Sequence, residues 1–255
     1  MVSPGSNGRS LKTIERSFEI VEHLMERDGA RVSELASHLG LPKSTVHSYL
    51  TTLHGIGYLI KEGDEYHVGL RFLDVGGYAA NRKRAYRMAG PKVKELAEET
   101  KERAQFIVEE SGYGIYLHHE IGSQAVRTDV RVGKRTHLHT ISAGKAILAY
   151  LPEHEVRRII DERGLIRKTA HTITDEETLF DDLERVREQG YALNREERID
   201  GQCAIGAPVR IDDRVIGAFS VSGPTHRMKG ERLEREIADL LLGTANELEL
   251  NMAYS

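Results

Sequence analysis

Apolar residues in the first seventy positions recur three times with the period of a helix and then switch to the period of a strand. Ile14, Phe18, Val21, Leu24 and Met25 share one helical face. Asp28-Gly29 closes that helix, glycine being suited to the left-handed position just past a helix end. A second helix is predicted after Val32, with Leu35, Ala36 and Leu39 inward and Gly40 closing it. Leu41-Pro42 turns the chain into a third helix over 43–54, where Val46, Leu50 and Leu53 form the buried stripe and Tyr49 lies at its edge. Ser44, Ser48 and Thr51 then point the opposite way, flanked by Thr45, His47 and Thr52. Short strands over 58–61 and 65–68, joined through Gly63-Asp64, complete the segment.

A merely solvated helix face usually carries Glu/Lys pairs. The outward face of the third helix instead carries short hydroxyls and a histidine, and Lys43 enters it. Three helices with a short second-to-third turn, followed by a hairpin, form a winged helix-turn-helix. In that arrangement the third helix fits the major groove with its N-terminal side chains at base edges. The candidate DNA contacts are Ser33, Lys43, Ser44, Thr45, His47, Ser48, Tyr49 and Thr52, with the hairpin 58–68 against the backbone. A three-helix bundle used for protein contact is the alternative.

Residues 70–88 interleave Arg71, Arg82, Lys83, Arg84 and Arg87 with Phe72, Leu73, Val75, Tyr78 and Tyr86, as a linker helix (72–88) offering apolar contact to a second copy would. Gly90-Pro91 punctuates it, with Pro91 suited to the first turn of the next helix. From Ala104 the period becomes two. Strands are expected over 105–109 and 115–119 about the turn Ser111-Gly112-Tyr113-Gly114, and again near 124–131 and 137–140. Helices follow over 143–150, 153–162 and 176–189, the last behind Thr174 as cap. Strands over 203–211 and 215–222 flank Asp212-Asp213, and a final helix uses Leu233, Ile237, Leu240, Leu241, Thr244 and Leu248. Hairpins without regular βαβ alternation predict an α+β fold with an antiparallel sheet. The expected division is a tail (1–9, disordered), a DNA-binding domain (10–71), and a linker plus effector-binding and oligomerisation domain (72–255).

Charge sharpens this division. The 255 residues carry 36 Lys+Arg and 40 Asp+Glu, a net of −4, which alone disfavours a nucleic-acid partner. Residues 1–88, however, hold 12 basic and 10 acidic residues, against 24 and 30 in the remainder. A mildly basic head on an acidic body suits a nucleic-acid module joined to a sensing module. No apolar run approaches the ~20 residues that cross a bilayer, and residues 1–9 lack a secretory core. The single cysteine, Cys203, excludes an internal disulfide framework and a multi-cysteine zinc finger. The expectation is a cytoplasmic protein without a membrane partner.

Other chemistry is less well supported. Ala143-Gly144-Lys145-Ala146 lacks the upstream glycine and following Ser/Thr of a phosphate loop. Cys203 has no motif placing a base beside it, as a nucleophile requires. His118, His119, His137 and His139 pair up along strands, where imidazoles on one face can chelate, but no second ligand motif stands at diagnostic spacing.

Three separated motifs, in order, resemble the IclR-type transcriptional regulators over nearly the whole length. They are Leu41-Pro42-Lys43-Ser44-Thr45-Val46-His47 with Gly57-Tyr58-Leu59, then His139-Thr140-Ile141-Ser142-Ala143-Gly144-Lys145-Ala146, then Gly190, Glu197, Cys203-Ala204-Ile205-Gly206-Ala207-Pro208-Val209 and Ser220-Val221-Ser222-Gly223-Pro224. The resemblance implies a GAF-like C-terminal domain that binds a small carboxylate or aromatic metabolite, no cofactor, and a dimer or dimer of dimers on a double-stranded operator. It assigns effector contact to His139, Thr140, Ser142, Ala143, Gly144, Asn194, Cys203 or Ala204, Ser220 and Ser222. Asn194 stands where that family usually has Asp or Ser, and Ser48 where an arginine is frequent. Ser220 and Ser222, two apart on a strand, share one face, and exposed helix-entry amides near Ser142-Ala143-Gly144 would favour a carboxylate. The expected function is thus a ligand-responsive regulator without catalytic activity. The rival is a small-molecule hydrolase or metal-dependent enzyme in the body, with the helical head used for assembly.

Overall fold

A computed structural model describes residues 10–126 and 129–254. The tail 1–9 lies outside the described residues, and the chain divides after Ala79 into two compact units.

The first unit contains α1 (Lys12–Arg27), β1 (Ala30–Arg31), α2 (Val32–Leu39), α3 (Lys43–Gly55), β2 (Leu59–Glu62), β3 (Glu65–Val68) and most of α4 (Arg71–Asn81). The predicted stripe on α1 is wider than the core it serves. Val21 and Leu24, with Ile20, pack against Leu35, Val46, Leu50 and Leu59. Ile14, Phe18 and Met25 are instead exposed, beside Leu11. Two-residue β1, too short to show a period, pairs with β3 to give a three-stranded sheet ordered β1-β3-β2. Gly29, at φ +114°, lets that sheet close: a Cβ there would lie 2.3 Å from the His67 ring.

The second unit adds α5 (Arg84–Thr100), β4 (Arg103–Glu110), β5 (Tyr113–Ile121), β6 (Arg135–His137), a 3₁₀ turn (Leu138–Thr140), α6 (Ser142–Leu148), α7 (Glu153–Arg163), α8 (Glu176–Gln189), β7 (Ala192–Arg195), β8 (Gln202–Ile211), β9 (Arg214–Pro224), a π-helical turn (Arg232–Ile237) and α9 (Ala238–Ala253). The six strands form one antiparallel sheet ordered β6-β5-β4-β9-β8-β7. Cross-strand pairing sorts its residues by face. Arg103, Gln105 and Ile107 share a face with Ser222, Ser220 and Ala218, and with Ala204, Gly206 and Asn194. That face packs under α6 and α8. The other, with Phe106, Phe219, Val221 and Ile205, packs on α5 and α9. Both hairpin tips, Ser111-Gly112 and Asp212-Asp213, hold two successive positive φ angles, as a twist-matched two-residue turn requires. Pro208 fits within β8 because β7 pairs only as far as Gly206, so β8 is an edge strand from there on.

Five local expectations are corrected. Pro91 lies inside α5 rather than at a helix start. An interior proline costs about 3 kcal/mol or more. Here it is offset by the continuous buried stripe Tyr86, Ala89, Val93, Leu96 and Ala97. The linker is accordingly two helices, broken at Arg82-Lys83, and the second belongs to the body. The described residues of 124–131 form no strand, and the strand placed at 137–140 lies at Arg135–His137 with a 3₁₀ turn after it. Asp175, not Thr174, caps α8, accepting from Thr178 N at 2.8 Å, while Thr174 accepts from Arg167.

Candidate DNA-binding face and effector site

On α3, Val46 and Leu50 are buried, and Leu53, Tyr49 and Thr45 are half-buried. Lys43, Ser44, His47, Ser48, Thr51 and Thr52 form a continuous exposed strip, and Ser33 is exposed in the first turn of α2. Ser48 Oγ donates to Ser44 O at 3.0 Å and Thr52 Oγ1 to Ser48 O at 2.8 Å. These back-bonds hold the two hydroxyls against the helix, with their oxygens left as acceptors. Pro42 precedes α3 without a side-chain cap, and its first turn carries no acid, unlike α1 and α2. Uncapped first-turn amides at the positive end of a helix dipole suit a phosphate. The hairpin is less suited, because Glu62, Asp64 and Glu65 surround its turn against Lys61 alone.

The second site is built on the serine-bearing face of the sheet. Ser142 Oγ and Ser220 Oγ are 3.0 Å apart. Ser222 Oγ accepts from Arg103 Nε at 3.2 Å, Arg103 Nη2 at 3.0 Å and Gln105 Nε2 at 3.0 Å, which leaves its own proton to donate. Arg198, from the loop between β7 and β8, donates to the Tyr116 hydroxyl, and its guanidinium carbon lies 5.4 Å from the ring centre. Burial pushes the Arg103 guanidinium down to about 10, and burial followed by the Arg103 charge does the same to Arg198. Both remain cations at neutral pH.

Several expected contacts are engaged elsewhere. Asn194 donates to Thr140 O at 2.7 Å and accepts from Glu197 N at 3.1 Å. Thr140 Oγ1 donates to His137 O, and His139 Nε2 donates to Ile166 O at 3.0 Å. These residues position the site. Cys203 faces the α5/α9 side, where its Sγ contacts Thr225 Oγ1 at 3.7 Å; Ala204, paired with Ser222, is the residue on the serine face. Parity along the strand thus separates two residues that the motif left interchangeable. His118 Nε2 donates to Tyr86 O, and among the described residues no group of three or more His, Cys, Asp or Glu could hold a metal ion.

The start of α6 is closed, contrary to the expectation of exposed amides. All seven of its residues are buried. A Cβ on Gly144 would lie 2.1 Å from Leu138 O, and one on Gly206 would lie 2.6 Å from Ala143 N. Backbone touches backbone on both sides. Gly144→Ala and Gly206→Ala should each cost about 1–3 kcal/mol of stability through overpacking. Urea unfolding checks this, and a wild-type midpoint would show that α6 stands off the sheet.

On this helix Lys145, 1% exposed, lies 2.9 Å from Asp182 Oδ2 and 2.8 Å from Glu197 Oε1 and Oε2. Sequence reading missed this trio together with Arg103, Gln105, Tyr116 and Arg198. A cleft of about 820 Å³ lined by Tyr150, Phe180, Arg187 and Val215 opens elsewhere on the unit. None of the serine-face residues lines it, so the convergent donors, not that cleft, define the candidate site.

Residues 79–250 match the family described as bacterial transcriptional regulator IclR, C-terminal, and residues 13–63 match the IclR helix-turn-helix domain. The probable HTH-type transcriptional regulator ArcR of Halobacterium salinarum is 34% identical over 96% of this chain and 95% of its own length. The crystal structure of the Thermotoga maritima IclR superposes with a TM-score of 0.80 at 26% identity, covering 96% of this chain and all (100%) of that one. An IclR homologue of Microbacterium hydrocarbonoxydans, solved with 4-hydroxybenzoate, shares the fold at 23% identity and a TM-score of 0.80, over 95% of this chain and 100% of that one. Nothing in these matches supports the rival enzymatic reading. The chain belongs to the IclR family of transcriptional regulators, with a helix-turn-helix DNA-binding domain and an effector-binding C-terminal domain.

Proposed function

We propose that the protein is a cytoplasmic, non-catalytic regulator that binds a palindromic operator as a dimer or dimer of dimers. In this reading α3 enters the major groove, and a small carboxylate on the serine face of the sheet biases the DNA-binding geometry. The acid-free, hydroxyl-lined face of α3 carries the DNA assignment. Two such helices about a twofold axis would read half-sites about one helical turn (~34 Å) apart, or a multiple of it. Exposed Leu11, Ile14, Phe18 and Met25 on and before α1, and Leu73, Val75 and Tyr78 on α4, supply apolar surface for a second copy. The carboxylate class rests on Arg103, Gln105 and three serines converging as donors. Effector control needs the ligand to prefer one conformation over another, since equal affinity for both shifts nothing.

A mobility shift on DNA from upstream of the protein's own gene, with and without small carboxylates, tests this reading. Retardation should weaken steeply with salt, as counterion release demands. Ser220→Ala should retain operator binding and lose most of the effector response, because one wall of the site loses its hydroxyl. An unchanged response would move the effector elsewhere, and salt-independent retardation would remove the groove assignment.

A further inference from the structure

The serine face carries more cation than a single carboxylate needs. Arg103 and Arg198 reach it from different elements, the first residue of β4 and the loop between β7 and β8. Among the described residues Arg198 forms no ion pair, and its contacts are the hydroxyl and ring of Tyr116. Its loop is firmly built. Thr169 and Thr172 donate to the Glu196 and Glu197 carbonyls at 2.7 and 2.6 Å, Asn194 accepts from Glu197 N, and Gly201 N donates to Glu196. Glu197 is further tied to Lys145. A half-buried cation delivered by so anchored a loop, with no ion pair among the described residues, is pre-organised for an anion from outside the chain. Across the sheet, His119 stands opposite Gln105 and leaves its Nδ1 buried without a hydrogen-bond partner among the described residues.

We propose that the effector is a small dicarboxylate bound at both ends: one carboxylate by Arg103, Gln105 and the Ser222 hydroxyl, the other by Arg198 beside Tyr116. This rests on the serine face being the effector site and adds a second anchor to it. Arg198 is then a specificity residue. It gives little to a monocarboxylate already held at the Ser222 end and much to a ligand long enough to reach it.

Calorimetric titration of the full-length protein with succinate, glutarate and adipate, against butyrate, valerate, caproate, benzoate and inorganic phosphate, tests the assignment. The best-fitting diacid should bind about tenfold or more tightly than the monoacid of equal length, the worth of one charge-assisted contact. Arg198→Gln should abolish that preference while leaving monoacid affinity within about threefold. Arg198→Lys, which keeps the charge, should retain part of the preference and guards against misreading a folding defect. Arg103→Gln should weaken both classes. Equal affinity for diacids and monoacids, a preference surviving Arg198→Gln, no binding by any diacid, or phosphate binding as tightly as the best diacid would each overturn the two-ended ligand. Monoacid binding lost in Arg103→Gln would leave the effector site itself standing in those cases. Acids that bind the wild type and Arg103→Gln equally would instead remove the site along with the inference.

Discussion

Lys145→Met is expected to destabilise the C-terminal unit by about 3–5 kcal/mol, the usual effect of removing one partner from a buried ion pair. For a unit of this size that is a fall in Tm of roughly 6–20 °C. The ammonium is fully buried between Asp182 and Glu197, and methionine, of similar length, fills its space without its charge. The loss is therefore electrostatic rather than a cavity effect. Burial raises the Glu197 carboxyl above its usual 4.5, and Lys145 opposes that rise. Without Lys145 the rise is larger, opposed only by the hydrogen bond from Arg195 N. The folded variant then holds a proton on Glu197 at pH values where the unfolded chain has released it, so stability falls as pH climbs from 4.5 through the raised value. The deficit relative to wild type should be smaller at pH 5 than at pH 8, and Glu197→Gln in the Lys145→Met background should recover much of it. Thermal unfolding at the two pH values is the measurement. A pH-independent deficit would mean that methionine fails sterically.

The elements legible in the sequence were those whose apolar period runs long enough to fix a face: α1 to α3, the β4–β5 and β8–β9 hairpins, and α8. The two-residue β1 and four-residue β7 carry no period, and both lie at sheet edges. Pro91 does not stop the helix because its local signal is outweighed by the seven buried residues of α5. At the candidate effector site, the serines were legible because i and i+2 on a strand share a face. The arginines were not. Arg103 and Arg198 read as surface charges until strand pairing places one opposite Ser222 and a hydrogen-bonded loop brings the other to Tyr116. Conversely, Asn194, Thr140 and His139 have suitable chemistry in a suitable motif, but their polar atoms are satisfied within the fold. Which polar groups remain to meet a ligand depends on hydrogen bonds between segments distant in sequence.

Ser44→Glu is expected to weaken operator binding by at least about a hundredfold while leaving the fold as stable as wild type or slightly more so. Ser44 is exposed in the first turn of α3, in a helix with no acid there and no side-chain cap. A carboxylate at that end is favourable to the isolated helix by roughly 0.3–1 kcal/mol through the dipole. Against DNA the same charge meets phosphate, and like-charge juxtaposition across an interface costs several kcal/mol. Each head of a dimer would bear that cost. Stability and affinity should thus move in opposite directions, which a misfolded variant cannot do. Thr45 is half-buried and would confuse the two effects, so Ser44 is the better probe. Glu62→Lys provides the contrast at the hairpin turn. It removes one of three carboxylates there and should strengthen binding, with the salt dependence steeper by about one counterion per head. Ser44→Glu binding at wild-type concentration, with Glu62→Lys abolishing it, would exchange the roles of the helix and the hairpin.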